Sequence, residues 1–391
     1  MSDVYLVESL RTPLGSLGGA LADVEAPRLA ATVMKEIIAR TGVPADAVDE
    51  VILGQVLSGG SGQAPARQAL RHAGLADSVP ALTINKVCGS GLKAIMLGAG
   101  SIALGDADLV LAGGMENMSL APYALSKGRY GYRMGNAEML DLMVHDGLMD
   151  PYSGNHMGII AEASVTANGL SRIDQDAFAV VSYQKAQAAV SEGIFRGEIV
   201  PVVKTTRSGE LVIDQDEEPN KSDYRKLPQL RPAFKKDGTI TAGNASTIND
   251  GAGVTLLASA KAVKKHGLQP KARLVACATN SIHPDLFTEA PVGAIEKVCA
   301  KAGIPVDQID LFEINEAFAA VPLIACRRLN LDEAKVNVNG GAVAIGHPLG
   351  ASGARLVATL VRELHRKEAR YGLATLCIGG GEAVAVIIER F

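Results

Sequence analysis

Apolar and polar positions fall into blocks along this chain. Short apolar runs read as strands. The N-terminal MSDVYLVESLRTP enters one at once. PALTI (80–84), LVLAGG (109–114), GAGVTLLA (251–258), LVACAT (274–279), LATLCIGGG (373–381) and EAVAVIIE (382–389) follow. Between them, apolar residues recur at helical spacing over 92–104, 157–168 and 173–190, the last with Ser171 as N-cap and Asp174 three residues on. Strands alternating with helices imply parallel or mixed sheets covered by helices, with ligands collecting beyond strand carboxyl ends.

The pattern repeats itself. GVPADAVDEVIL at 42–53 is echoed by GIPVDQIDLFEI at 303–314, an offset of 261 (303 minus 42). SGLKA at 90–94 faces SGARL at 352–356, an offset of 262, and each opens a helix that leads to an apolar strand ending in glycines. Two matches at nearly one offset predict two similar α/β halves. In the second half the glycine turn runs straight into the closing strand, 382–389. In the first, the corresponding strand is 251–258, after a gap of about 130 residues. The expected organisation is a first half over 1–117 completed by 250–269, an inserted loop domain over 118–249, and a second half over 270–391. Insertions at strand ends commonly carry binding function.

Composition sets the class. The 391 residues are 48% hydrophobic with a net charge of −4, which suits a globular protein and disfavours one that coats nucleic acid. The charge-free stretch 94–105 is too short to span a membrane. The five cysteines form no CxxC pair, so a zinc or iron–sulfur centre is not expected. Their odd number, with no secretory or transit leader legible, sets the expectation of reduced thiols in the cytoplasm.

Four stretches could carry chemistry. In NKVCGSGLKA (85–94), Cys88 stands where a strand gives way to a helix. It is either a buried small hydrophobe or a nucleophile whose thiolate the helix N-terminus favours. In EINEAFAA (313–320), Asn315 and Glu316 follow an apolar strand and begin a helix. In NGGAVAIGHPLGASGARL (339–356), His347 lies in a glycine-rich loop, held from helical geometry by Pro348. In LATLCIGGGEA (373–383), Cys377 ends a strand before three glycines; it is a strand-packing cysteine or a second reactive thiol. Cys277 lies in a strand pattern, Cys299 and Cys326 in helical ones, and all three are expected to pack. Of the other histidines, His156 in SGNHMG stands out.

Taken together, NKVCGSGLKA, GGMENMS, NEAFA, NGGAVAIGHPLGASGAR and CIGGGEAVAVIIE resemble the thiolase family over the whole chain, and within it the short-chain type acting on acetyl-CoA and acetoacetyl-CoA. The resemblance implies a layered αβαβα thiolase fold with a large inserted loop domain. It implies an acetyl-CoA C-acetyltransferase: a reversible Claisen condensation of two acetyl-CoA to acetoacetyl-CoA plus CoA, ping-pong through an acetyl-Cys88 thioester. Cys88 would be the nucleophile, His347 the acceptor of its proton and Cys377 the acid/base at the α-carbon. His347 with a water held by Asn315 would form one oxyanion hole, and the N–H groups of Cys88 and Gly379 the other.

The same resemblance puts the pantetheine near Ser246, Phe234 and Phe318, with Leu148 beside it, and the nucleotide at NKSDYRKLPQLRPAFKK (220–236), which holds six Lys/Arg and one acid. Where many relatives carry an arginine this chain has Asn220, so Lys221 or Arg225 would take the phosphates. His156 and Met157 in NHMG are expected to crowd the acyl end and favour short chains. SKGRYGYRMGNAEMLD (126–141) resembles the loop that pairs dimers into homotetramers. Coenzyme A thioesters enter as substrates, with no cofactor, metal, nucleic acid or membrane expected. The alternatives are a broader-range 3-ketoacyl-CoA thiolase, a ketoacyl-ACP synthase of the same fold, and a non-catalytic acyl-CoA-binding relative.

Overall fold

The structure is a computed structural model of the chain and describes residues 3–207, 209–221 and 223–391. Its sheet is built twice. In the first half, β1 (Val4–Arg11) lies antiparallel to the strand Asn249–Ser259, which lies antiparallel to Leu109–Asn117. That strand runs parallel to β2 (Glu50–Gly54), and β2 to β3 (Ala81–Ile84). With β4 for Leu109–Asn117 and β5 for Asn249–Ser259, the order is β1-β5-β4-β2-β3.

The second half repeats it. β6 (Ala272–Ser281) is antiparallel to Glu382–Glu389, and that strand to Tyr371–Ile378, which runs parallel to β7 (Leu311–Ile314). Naming Tyr371–Ile378 β8 and Glu382–Glu389 β9 gives β6-β9-β8-β7, and a parallel bridge from Phe312 to Val336 stands where β3 stands in the first half. Even the irregularity repeats: register shifts at Leu6/Glu8 in β1 and at Leu274/Ala276 in β6. β1 and β6 pair through Val4–Leu6 and Ala272–Leu274, joining the halves into one sheet.

The helices form three layers around these leaves. α1 (Ala26–Thr41) and α2 (Pro65–Ala73) cover the outer face of the first leaf, in a core with Val7, Leu111 and Val254. Between the leaves lies α3 (Ser90–Leu104), which packs on the later helix Leu349–Arg366; their shared core draws Leu257 from one leaf and Leu376 from the other. On the far side, α4 (Met157–Ala167), Ala290–Ala302 and Ala320–Leu329 cover the second leaf, around Ile295, Val321 and Ile387. After α5 (Arg172–Ser191), the helices of ten residues or more among the described residues are α6 (Ala290–Ala302), α7 (Ala320–Leu329) and α8 (Leu349–Arg366). The layering is αβαβα.

The stretch Val87–Leu104 is long and apolar enough to cross a membrane, longer than the run read from the sequence. Its apolarity has another cause: α3 is the central helix, between the leaves, and nine of its fifteen residues are buried, with Leu97 and Leu104 exposed. α3 and α8 cross at Gly91 and Gly353. A Cβ at Gly91 would lie 2.8 Å from the Gly350 carbonyl oxygen and 3.0 Å from the Ala354 nitrogen, so only glycine permits this approach. The crossing sets the two helix N-termini side by side at the strand carboxyl ends, one preceded by Cys88 and the other by His347.

The chain between β4 and β5 holds α4, α5 with its Ser171–Asp174 capping box, and two small hairpins, Tyr123–Ala124 with Leu140–Asp141 and Val202–Thr206 with Gly209–Ile213. One expectation about local structure is corrected. Asn315 and Glu316 do not begin a helix; α7 starts at Ala320. Glu316 is fully buried and accepts hydrogen bonds from Ser182 Oγ, Asn337 Nδ2 and the Val343 amide, so it ties the 337–343 loop down instead of capping a helix.

Candidate active site

A cavity of about 180 Å³ opens at the helix crossing. Its wall includes Cys88, Leu148, His156, Met157, Phe234, Ser246, Phe318, His347, Cys377 and Gly379, ten residues singled out from sequence and drawn from segments far apart in the chain. Most of the remaining surface is apolar.

Cys88 is set by an elbow. Val87, just before it, has φ +46°, a genuine strain for a β-branched residue. Ser90 holds it: its Oγ donates to the Val87 carbonyl at 2.7 Å and accepts the Lys86 N–H at 2.8 Å. Gly89 caps α3 without a side-chain bond. The backbone N–H groups of Gly379 and of Cys88 itself favour the charged form of the Cys88 thiol. A Cβ on Gly379 would lie 3.6 Å from the Met157 sulfur, which places this turn against the start of α4.

The helix start favours a thiolate locally but does not make Cys88 a resting thiolate. Burial pushes its thiol up to about 11, and nearby Glu116 adds to the rise, against the two backbone donors. Desolvation of a charge in an apolar wall outweighs a helix terminus worth at most about 2 kcal/mol. His347 moves the opposite way. Burial, with Arg355 nearby, lowers it to about 3, so its imidazole is neutral. Cys377 is fully enclosed and lies well above the ordinary thiol range, by burial first and then by proximity to Cys88. The site at rest holds two neutral thiols and a neutral imidazole.

His347 is anchored on three sides. Its N–H donates to Asn249 Oδ1 at 2.9 Å, Nδ1 lies 2.5 Å from Ser352 Oγ, and Asn315 Nδ2 lies 3.4 Å from Nε2. Asn315 Oδ1 is buried with no hydrogen-bond partner among the described residues. That orphaned acceptor suits a bound water. His156 Nδ1 accepts the Gly158 N–H as the cap of α4, and its ring stacks on Phe234 at 4.8 Å between centroids. Phe234 and Phe318 meet edge to face at 6.1 Å, and Phe318 and Phe287 at 6.2 Å.

The basic segment 220–236 reaches the cavity through Phe234 alone among its residues. Lys221 and Arg225 stand apart from it. Lys221 Nζ donates to Ser16 Oγ at 2.7 Å and pairs with Glu217, and Arg225 pairs with Asp223. Sequence reasoning did not place Met118, Leu349 or Phe287 in the wall: the first two lie inside quoted motifs without being singled out, and no local pattern marks Phe287. It also passed over Glu116, although GGMENMS was in view. This buried carboxylate accepts the N–H groups of Val56, Leu57 and Gly350, binding the loop after β2 to the start of α8.

Comparison with known proteins agrees with this arrangement. Residues 4–261 match the family model for the thiolase N-terminal domain, and residues 268–390 that for the thiolase C-terminal domain. The acetyl-CoA acetyltransferase of Pseudomonas aeruginosa is 52% identical over 392 residues, covering 100% of both chains. A probable acetyl-CoA acyltransferase of Staphylococcus aureus is 49% identical over 393 residues with the same coverage. The crystal structure of the Bacillus anthracis acetyl-CoA acetyltransferase superposes with a TM-score of 0.98 at 42% identity, covering 100% of this chain and 99% of that one.

Proposed function

The chain belongs to the thiolase family and is an acyltransferase, and we propose that it works as an acetyl-CoA C-acetyltransferase, joining two acetyl-CoA into acetoacetyl-CoA and CoA or running the reverse thiolysis. One observation carries the reading of the site: Cys88, His347, Cys377 and the Gly379 amide, from both halves of the chain, face one small apolar cavity.

The chemistry follows from neutral partners. Cys88 attacks the first thioester carbonyl as its proton passes to His347, and the tetrahedral oxygen collapses to expel CoA, which leaves with that proton. Splitting transfer through an acetyl-Cys88 thioester divides one hard step into two. His347, neutral again, accepts the proton of Cys377. The Cys377 thiolate then takes a proton from the methyl carbon of the second acetyl-CoA. The enolate attacks acetyl-Cys88, and the thiolate released there recovers its proton from His347. Both thiols end protonated and the imidazole neutral.

Negative charge develops on two oxygens. The N–H groups of Cys88 and Gly379, which both favour negative charge at the Cys88 thiol, suit the oxygen of the acyl group on Cys88. His347 Nε2, with a water held at Asn315 Oδ1, suits the enolate oxygen. Each donor of this kind is worth roughly 3–4 kcal/mol in a dry site.

Coenzyme A thioesters are the substrates in this reading, and no other cofactor takes part. The pantetheine would lie along Phe234, Phe318 and Ser246. The phosphates would meet the exposed cations Lys226, Arg231, Lys235 and Lys236 of the basic segment; Lys221 and Arg225 are already engaged with Glu217 and Asp223. We further read the chain as a cytoplasmic homotetramer, supported by five free cysteines and by the exposed apolar side chains of Tyr130 and Met134 in the 126–141 loop.

The test is direct. With acetyl-CoA alone, one acetyl group should appear on the peptide carrying Cys88 by mass spectrometry. With acetoacetyl-CoA and CoA, enolate absorbance should fall. Acetyl found on Cys277, Cys299 or Cys326, or no turnover, overturns the reading.

A further inference from the structure

Ser352 lies in the first turn of α8, four residues after Pro348, and is 1% exposed. Its Oγ stands 2.5 Å from His347 Nδ1 and 2.9 Å from the Pro348 carbonyl oxygen. Among the described residues it makes the one short hydrogen bond to the ring. Asn315 Nδ2 is 3.4 Å from Nε2 and 3.5 Å from Nδ1, too far and too evenly shared to turn the imidazole.

The chemistry of these atoms is restrictive. The Pro348 carbonyl only accepts, whereas a hydroxyl both donates and accepts. Two proton arrangements therefore satisfy the group. In one, Nδ1–H donates to Ser352 Oγ, the hydroxyl donates to Pro348, and Nε2 presents a lone pair. In the other, the hydroxyl hydrogen turns to Nδ1, and Nε2 carries the proton. The first suits an acceptor for a thiol proton; once Nε2 has taken that proton, Nδ1–H stays on Ser352 and Nε2–H can donate to an oxygen, so both roles read for His347 above follow from this one arrangement.

We propose that Ser352 is the positioning residue of His347: its Oγ accepts Nδ1–H and keeps Nε2 toward the cavity, both while Nε2 holds a free lone pair and after Nε2 has taken a thiol proton and become a donor. This rests on the reading of His347 as the base. The internal symmetry supports it independently. Ser90 and Ser352 occupy matching places, each directly before a crossing glycine, and each ties down the loop that carries its half's functional side chain. Ser90 fixes the Cys88 elbow through backbone groups; Ser352 does its work on a ring nitrogen.

The experiment compares wild type, Ser352→Ala, His347→Ala and the double variant in thiolysis of acetoacetyl-CoA and in the rate of Cys88 acetylation. Ser352→Ala should lower kcat about 10–100-fold, the usual scale for losing the partner that orients a functional histidine, with KM changed less than about twofold. In the His347→Ala background the same change should cost less than about twofold, since no ring remains to be held. Ser352→Cys keeps the volume and weakens the bond, and should show the same kcat loss if the alanine variant does not fold. Wild-type kcat in the position-352 variants overturns the proposal, as does an equal loss in the His347→Ala background. A wild-type rate in His347→Ala alone overturns the reading of His347 and the proposal with it.

Discussion

Gly379 and Cys88 line one cavity, and the Gly379 N–H is a donor that favours the charged form of the Cys88 thiol. The donor sits in the turn after β8 of the second half, and the sulfur precedes α3 of the first. Neither half could make this arrangement alone. It exists because Gly91 and Gly353 let two helices approach closely enough for their leading loops to share one cavity.

The glycines after Cys377 should accordingly differ in what they tolerate. A Cβ on Gly379 meets only the Met157 sulfur at 3.6 Å and methyls at ordinary contact distance, and the amide remains. Gly379→Ala should fold normally and keep kcat within about tenfold of wild type, far from the 10²–10³-fold loss expected if the oxyanion donor itself were removed. Gly381 has φ +86°, and a Cβ there would press into the Ile282 and His283 backbone. Gly381→Ala should lower the melting temperature by several degrees. Equal melting temperatures for the two variants would contradict the geometry.

Cys377 is assigned proton transfer and not acylation. Acylating Cys88 requires only an acceptor for its own thiol proton, which His347 supplies. Cys377→Ala should therefore keep acetyl labelling of Cys88 while losing about 10²–10⁴-fold in condensation and thiolysis. It should also stop exchanging the methyl protons of bound acetyl-CoA with deuterated solvent, which mass spectrometry follows. Exchange at the wild-type rate would assign the base elsewhere.

The neutral state of His347 has a consequence for stability. Its pKa in the folded protein, about 3, is depressed from an ordinary value of 6.5. Between these values the unfolded chain binds the extra proton, so this group's stabilising contribution is present above 6.5 and is lost as pH falls toward 3. Within that window the loss is at most about 1.4 kcal/mol per pH unit. Denaturant titrations of wild type and His347→Asn at fixed protein concentration should show wild type losing its advantage from pH 6.5 downward. A pH-independent difference would mean that His347 has the same pKa in the folded and unfolded chain.

What the sequence made legible was whatever the repeat carries. The offset of 261–262 located matching helices and matching strands in the two halves, because each half solves the same packing problem. Cys88, His347 and Cys377 could be singled out because each sits at a strand end or helix start bordered by glycine. What escaped depends on segments far away in the chain. The helix dipole at Cys88 is a local signal and argued for a thiolate. The apolar wall that reverses it comes from Met118, Met157, Phe318 and Leu349. NEAFA looked like a helix start because Asn and Glu often cap helices, but Glu316 was already taken by three donors from Ser182, Asn337 and Val343. Phe287 had no mark at all: it comes from a short 3-10 turn before α6.

The acyl end of the cavity decides chain length. Met157 begins α4, its sulfur lies 3.6 Å from where a Cβ on Gly379 would stand, and it packs against the core that holds Phe318 and Phe287. It therefore stands beside the turn whose amide favours negative charge at Cys88, where a longer acyl chain would have to pass. Met157→Ala removes this group and leaves the aromatic wall intact. One methylene is worth about 1–3 kcal/mol of discrimination, or 10–200-fold, in an apolar pocket. The ratio of kcat/KM for 3-ketohexanoyl-CoA over acetoacetyl-CoA should rise at least tenfold in the variant. Met157 is only partly buried, so the stability cost should fall below the roughly 2–5 kcal/mol of a fully buried Met→Ala change. A series of 3-ketoacyl-CoA substrates of increasing length, run on both proteins, checks this. If wild type already cleaves six-carbon chains as fast as acetoacetyl-CoA, Met157 is not the limit and the pocket extends along another wall.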